Sequence, residues 1–320
     1  MLVEIKNKVL NNQAITKEEA LSLVNEDLVE LKKAANEIRN RFCGQTFDLC
    51  SIINGKSGRC SENCKFCSQS SYYPTLINEY DLLDESTIQT MAQANENKGV
   101  GRFSIVTSGR KLEHEQFDRV VKIYQKLAQE CRISLCASLG LLEWEQFKQL
   151  KQAGVCRYHN NLETSRNYFS QVCTSHTYDQ KISTIKAAQK AGLEVCSGGI
   201  MGMGESWQDR LDLAFELKDL GINSVPINIL NPIKGTPFEY LEPLSQADIE
   251  RIFAIYRFIL PQAVIRMAGG RGLLSDRGVS VFQSGANGAI TGDMLTTTGI
   301  TINEDLDIIK ELGFEVNKLW

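Results

Sequence analysis

Residues 193–230 read LEVCSGGIMGMGESWQDRLDLAFELKDLGINSVPINIL, and this stretch decides the fold class. Positions 193–198 alternate as a short strand does, with Leu193 and Val195 opposing Glu194, Cys196 and Gly198. Positions 207–220 carry apolar residues at helical spacing and stop at Gly221, as a helix should. Positions 224–230 alternate again. The same strand–helix order extends in both directions. Segments 47–53, 103–107, 133–138, 155–162, 264–268 and 288–291 read as further short strands, and 113–129, 143–152, 178–191, 246–260 and 303–312 as helices. Eight such strands predict a parallel sheet, and a closed (βα)8 barrel of the TIM type fits the count. Residues 17–41 read as a helical prefix. The expectation is one α/β domain: a helical N-terminal extension over 1–45 and a barrel over 46–320.

The strands have an unusual inner face. Strands of a parallel sheet are normally apolar on both sides. Here Ser134, Cys136 and Ser138 share one face, as do Ser224, Pro226 and Asn228, and Val264, Arg266 and Ala268. The apolar face of each strand suits the outer helices, so the polar face must point into the barrel. Burying Cys, Asn and Arg there without partners is costly. The barrel is therefore expected to enclose a ligand site.

Composition narrows the class. With 320 residues, 42% hydrophobic and 23% charged, the chain can bury a core without staples. A net charge of -4 offers no footprint for nucleic acid. No stretch approaches the roughly 18 apolar residues of a membrane span, and residues 1–12 lack the apolar core of a signal peptide. A cytoplasmic, soluble protein is expected. Its ten cysteines then point to metal or redox use instead of disulfides.

Cys60-Ser61-Glu62-Asn63-Cys64-Lys65-Phe66-Cys67 has the spacing C-x3-C-x2-C and follows the first strand and a glycine-containing loop. Three thiolates on one loop can ligate three irons of a [4Fe–4S] cube and leave the fourth iron open to a small chelating molecule. That arrangement suits reductive cleavage of S-adenosylmethionine (SAM) to a 5′-deoxyadenosyl radical. A zinc knuckle would want a fourth protein ligand nearby, and none follows at the expected distance. Phe66 suits packing beside adenine, although an aromatic at such a place is commonly just loop packing.

Over most of its length the chain resembles the biotin synthase family of radical SAM enzymes. The resemblance rests on Cys60–Ser71 (CSENCKFCSQSS), on residues 159–165 (HNNLETS) and on residues 196–200 (CSGGI) with Gly202, Gly204 and Glu205. It also rests on residues 225–228 (VPIN), on 234–237 (KGTP), on 285–287 (GAN) and on 295–297 (LTT). The resemblance implies insertion of sulfur between C6 and C9 of dethiobiotin, with two SAM molecules each supplying a radical. The sulfur would come from an auxiliary iron–sulfur cluster inside the barrel. By matching motifs, Gly198, Gly199 and Ile200 would hold the methionine end of SAM. Asn161 and Glu163 would hold its ribose, and Lys181 its carboxylate, unless Lys181 is simply a surface lysine. Asn228, Asn161 and Arg102 would face dethiobiotin, the Asn228 amide suiting the donors and acceptor of a ureido ring. No side chain is assigned as catalytic acid, base or nucleophile. The resemblance also implies an electron donor such as flavodoxin or ferredoxin, and a homodimer.

One departure stands out. The family's auxiliary cluster is [2Fe–2S], held by three cysteines and an arginine. Cys136, Cys196 and Arg266 match three of these ligands, but Ser104 stands where the remaining cysteine belongs. Cys50 and Cys43 are extra. If Cys50 points inward with Cys136 and Cys196, three thiolates suit a four-iron auxiliary cluster whose last iron carries a sulfide, with Arg266 as a neighbour. If Cys43 also ligates, four thiolates complete a conventional cube. Otherwise Cys50 is a small buried hydrophobe. Cys131, Cys156 and Cys173 read as structural, and His114 and His176 have no ligand spacing. Two competing readings are a related radical SAM enzyme of the hydrogenase-maturase or pyrrolysine-pathway type, and a non-catalytic iron–sulfur carrier.

Overall fold

Ten strands form the sheet in the computed structural model, which describes residues 1–297 and 299–317. They are β1 (Thr46–Lys56), β2 (Arg102–Thr107), β3 (Ser134–Ser138), β4 (Arg157–His159), β5 (Glu194–Cys196), β6 (Gly199–Met201), β7 (Ser224–Ile229), β8 (Val264–Met267), β9 (Gly288–Thr291) and β10 (Glu315–Val316). Every pairing between them is parallel, in the order β1-β2-β3-β4-β5-β7-β8-β9, and β9 pairs back to β1. The barrel is thus closed with eight strand positions. The fifth is split, because β5 and β6 both pair with β7. The two-residue β10 extends the sheet beside the start of β1.

The apolar faces behave as the alternation requires. Leu135, Ala137, Val225, Ile227, Ile265 and Met267 are buried in one continuous core with the outer helices. Helix boundaries follow local chemistry. Thr177, Ser206 and Thr301 each cap a helix reciprocally with the residue three positions on, which satisfies donors that the first turn leaves free. The expected single prefix over 17–41 is broken. Asp27 accepts from the backbone N–H groups of Val29 and Glu30 and starts a new helix, Leu28–Cys43, after the shorter Lys17–Ser22. Leu28–Cys43 packs against Gln246–Ile259. Helix Leu2–Leu10 falls within the expected helical extension over 1–45, whereas Glu85–Asn97 lies outside the helices expected from periodicity.

Two strands are shorter than their alternation predicts, and each break positions part of the site. β4 ends at His159, and Glu163 adopts a φ of 71°. The fifth position breaks at Ser197-Gly198. There Gly198 donates to the Asn161 side chain at 3.0 Å, while its carbonyl accepts from Leu162 and Glu163. A Cβ on Gly198 would lie 1.8 Å from the Pro226 carbonyl oxygen, and one on Gly199 would lie 2.4 Å from that of Glu163. Both glycines are needed to let backbone meet backbone.

Gly198→Ala is therefore expected to cost about 1–3 kcal/mol or more through forced backbone shifts. Gly192→Ala, at a φ of 81° with nothing within 4 Å, should cost only about 1 kcal/mol. Thermal unfolding midpoints of the two variants check this. Equal midpoints would show that the close approach at Gly198 relaxes freely.

Candidate active site

The polar inner faces enclose a cavity of about 380 Å³. Its lining contains Cys50, Arg102, Ser104, Cys136, Arg157, Cys196, Asn228 and Arg266, as inward-facing strand positions should provide. Phe66, Asn161, Glu163 and Ile200 line it towards the carboxyl ends of the strands. In β1, Cys50 lies six residues before Lys56, where the cysteine loop begins, a separation of roughly 20 Å at about 3.3 Å per residue. The cavity thus joins a floor of thiols and arginines to a mouth beside the cysteine loop.

The floor is organised by Asp48. Its carboxylate pairs with Arg266, accepts from Arg102 Nε at 3.1 Å and lies 3.8 Å from Arg157. Burial alone would raise its pKa, but Arg266, Arg102 and Arg157 hold the carboxyl well below the usual carboxylate range. Arg157 also pairs with the exposed Glu194 at 2.8 Å. Arg266 reaches Cys196 Sγ at 3.5 Å and Ser224 Oγ at 3.1 Å. Burial opposes ionisation of Cys196, yet His159 and Arg266 bring its thiol down to about 6. Burial pushes the Cys50 thiol up to about 11. Cys50, Cys136 and Cys196 are close enough that charge on Cys196 is felt at Cys50, and charge on Cys50 at Cys136.

This floor fits an anionic thiolate-bound group. Ser104 Oγ and Arg266 Nε are buried there without hydrogen-bond partners, and three guanidiniums share one buried carboxylate. The expectation for Cys43 fails on position. It ends helix Leu28–Cys43, and its Sγ accepts from Arg257 at 3.3 Å beside the carbonyls of Pro261 and Ala263. It is not among the residues lining the cavity with Cys50, Cys136 and Cys196. Cys156, expected to be structural, lies at the edge of this floor. It sits beside Cys136, with Arg102 at 3.6 Å and the Leu135 carbonyl at 3.1 Å. Arg157 and His159 were also missed, although alternation along 155–162 places both on one face.

The mouth is built from the cysteine loop. Cys60 N–H donates to the Gln69 carbonyl at 3.0 Å, and Ser71 returns a bond to the Cys60 carbonyl at 2.9 Å, so the loop closes on itself. Cys67 N–H donates to the Cys64 carbonyl at 3.0 Å. Burial pushes the Cys67 thiol up to about 11, and charge on Cys60 adds to this. A second recess of about 170 Å³ adjoins the loop and is lined by Cys60, Cys64, Asn161, Glu163 and Lys181, among others. Lys181 is not a surface lysine: it is 7% exposed and donates to the Asn161 carbonyl at 2.8 Å, with Glu163 at 3.5 Å. Phe66 packs with Ile200, Val172, Met203 and Leu230. Asn228 donates to the Gly199 carbonyl at 3.2 Å and accepts from Gly269 at 2.8 Å, which fixes its amide against the cavity. Gly198 and Gly199 themselves do not line the cavity.

Removing the Asp48 carboxylate strands three buried guanidiniums. Asp48→Asn is expected to cost on the order of 3–5 kcal/mol, whereas breaking the exposed Arg59–Glu79 pair should cost under about 1 kcal/mol. Denaturant unfolding of metal-free protein compares the two, and a cost for Asp48→Asn as small as that of the exposed pair would refute its role as the hub.

Residues 56–217 match the Radical SAM superfamily, and residues 226–315 match the Biotin and Thiamin Synthesis associated domain. A biotin synthase of Brachyspira hyodysenteriae is 59% identical, covering 98% of this chain and 95% of the relative. One from Clostridium botulinum (strain Hall) is 56% identical, covering 98% and 99%. One from Akkermansia muciniphila is 53% identical, covering 97% of each. Among solved structures, methylornithine synthase superposes with a TM-score of 0.86 over 98% of this chain and 97% of the other. The [FeFe]-hydrogenase maturase HydG superposes with 0.85 over 100% and 76%; both are 18% identical and share the fold alone. A barrel with cysteines on its cavity floor and the Cys60–Cys67 loop beside its mouth, matched along nearly its whole length at 53–59% identity, belongs to the biotin synthase family of radical SAM proteins.

Proposed function

We propose that this chain inserts sulfur into dethiobiotin to give biotin, as a radical SAM sulfurtransferase. The observation that carries the reading is the single cavity with two unlike ends. A substrate held between them has a radical source at the mouth and a thiolate-bound sulfur source at the floor.

Cys60, Cys64 and Cys67 would hold a [4Fe–4S] cluster at the mouth. When bound, that cluster and SAM supply a 5′-deoxyadenosyl radical able to take hydrogen from unactivated carbon. The chain's own residues orient the reactants. Phe66, already packed on Ile200, offers a face to adenine. Asn161 and Glu163 present polar groups to the ribose, and Lys181 positions both by its contacts with them. Ile200, which lines the cavity, would face the methionine end, and Gly198 holds that edge in place through its backbone bonds to Asn161, Leu162 and Glu163. Asn228 holds its amide rigid against the cavity, where a ureido ring can pair with the remaining donor and acceptor sites. Arg102, tied to Asp48, shapes the floor beneath the substrate.

Cys50, Cys136 and Cys196 would hold the auxiliary cluster. The serine at position 104 and the inward thiol of Cys50 favour four irons with an added sulfide over a [2Fe–2S] cluster ligated by Arg266. Arg266 keeps its bond to Asp48 in this reading and neutralises thiolate charge from beside the cluster. The wider setting we propose is a cytoplasmic homodimer reduced by a flavodoxin or ferredoxin. Among the described residues, no helix is long and apolar enough to cross a membrane.

Protein reconstituted without oxygen and supplied with SAM, reductant and dethiobiotin is expected to form biotin with roughly two 5′-deoxyadenosines per biotin, as mass spectrometry would report. Cys50→Ala should still release deoxyadenosine but form no biotin. Deoxyadenosine without biotin from the unaltered protein would overturn the substrate assignment, and biotin from Cys50→Ala would overturn the ligand assignment.

A further inference from the structure

Behind the cysteine loop, Cys64 joins a second group of potential ligands whose other members, Cys173, His176 and Glu62, the proposed function does not use. Cys64 Sγ is 3.6 Å from Cys173 Sγ, and Cys173 Sγ is 3.4 Å from His176 Nδ1. All three atoms lie within 4.8 Å of one another. In a tetrahedral zinc site the metal–ligand lengths imply edges of ~3.8 Å between sulfurs and ~3.5 Å between sulfur and nitrogen. The two spacings from Cys173 fall close to those edges, and Cys64 Sγ lies within 4.8 Å of His176 Nδ1. A carboxylate borders the set: Glu62 Oε2 contacts the same Nδ1 and accepts from Ser175 Oγ at 2.8 Å, and it takes the fourth position by shifting off Nδ1 when a metal enters.

The frame around these atoms is stiff. Asn63 Oδ1 accepts from the backbone N–H groups of Thr174 and Ser175, both at 3.0 Å, and Lys65 N–H donates to the Val172 carbonyl at 2.9 Å. Segment 172–176 is thus laced to the cysteine loop. His176 is buried edge-on against Phe169, and its Nε2 has no partner, so the polar contacts of the ring run through Nδ1. The recess lined by Cys60, Glu62, Cys64 and His176 provides access.

We propose that the chain, when free of its cluster, binds one thiophilic divalent cation such as zinc at Cys64, Cys173 and His176, with Glu62 in the fourth position. Binding releases the two thiol protons, and the imidazole donates its Nδ1 lone pair with the ring proton on Nε2. No electron changes hands. The site shares Cys64 with the [4Fe–4S] cluster assigned under the proposed function, and on that reading the two occupants exclude each other. A bound cation then keeps the loop ordered but blocks cluster loading.

The test uses full-length, iron-free protein titrated with cobalt(II) without oxygen. Thiolate-to-cobalt charge transfer and intense tetrahedral bands should saturate with an equivalent that zinc displaces. Cys173→Ser and His176→Ala should each lose that equivalent while keeping the native circular dichroism, and Cys131→Ser should keep it. A tetrahedral signal unchanged in both Cys173→Ser and His176→Ala overturns the site. Protein already carrying its cluster should take up no cobalt at this site. Uptake undiminished by the cluster, still lost in Cys173→Ser, overturns the exclusion and the assignment of Cys64 to the cluster, while the cation site stands.

Discussion

The ion cluster of Asp48 with Arg102, Arg157 and Arg266 is the constraint on which the barrel interior depends. A parallel barrel normally fills its centre with branched aliphatic side chains. This one leaves a cavity and lines it with thiols, amides and guanidiniums. Buried charges of one sign cannot be tolerated without partners. Asp48 supplies the partner at the level where four strands bring their first inward residues together. Glu194 helps Arg157 from the solvent side, and the remaining positive charge makes the floor receptive to thiolates and to an anionic cluster.

From that floor the division of labour follows the strand direction. Residues near the amino ends carry the floor, including Asp48 and Cys50 in β1 and Arg102 in β2. Residues at the carboxyl ends carry the mouth, including the cysteine loop after β1 and Asn161 and Glu163 after β4. The break at Gly198 ties the halves together, since its backbone bonds to Asn161, Leu162 and Glu163 at once. Positioning at the mouth is therefore set by backbone pairing inside the barrel and less by flexible side chains.

Much of this was legible in the sequence, and for identifiable reasons. Alternation is a property of the strand itself, so Cys136, Cys196, Asn228 and Arg266 could be placed on the inner face before any coordinates. Cys60, Cys64 and Cys67 declare themselves by spacing on one loop. What sequence could not give was proximity across unlinked segments. Cys173 and His176 lie over a hundred residues from Glu62 and Cys64, and only the fold makes them neighbours. Cys43 precedes β1 closely enough to suggest a shared site, but the helix that ends on it delivers its thiol to Arg257. Lys181 read equally well as a surface residue, because helical periodicity does not report which side of a short helix faces a recess. Gly198 and Gly199 resembled a ligand-binding edge, but sequence did not show that the Pro226 and Glu163 carbonyls approach too closely there for any side chain.

Under the proposed function, the barrel floor would hold a second cluster of four irons, independent of the cysteine loop. The direct measurement is the iron content and Mössbauer spectrum of the Cys60→Ala, Cys64→Ala, Cys67→Ala triple variant, reconstituted without oxygen using iron-57 and sulfide. A floor held by Cys50, Cys136 and Cys196 predicts about four irons per chain with the spectrum of a cubane cluster. A spectrum of [2Fe–2S] alone, or no bound iron in a folded variant, would contradict it.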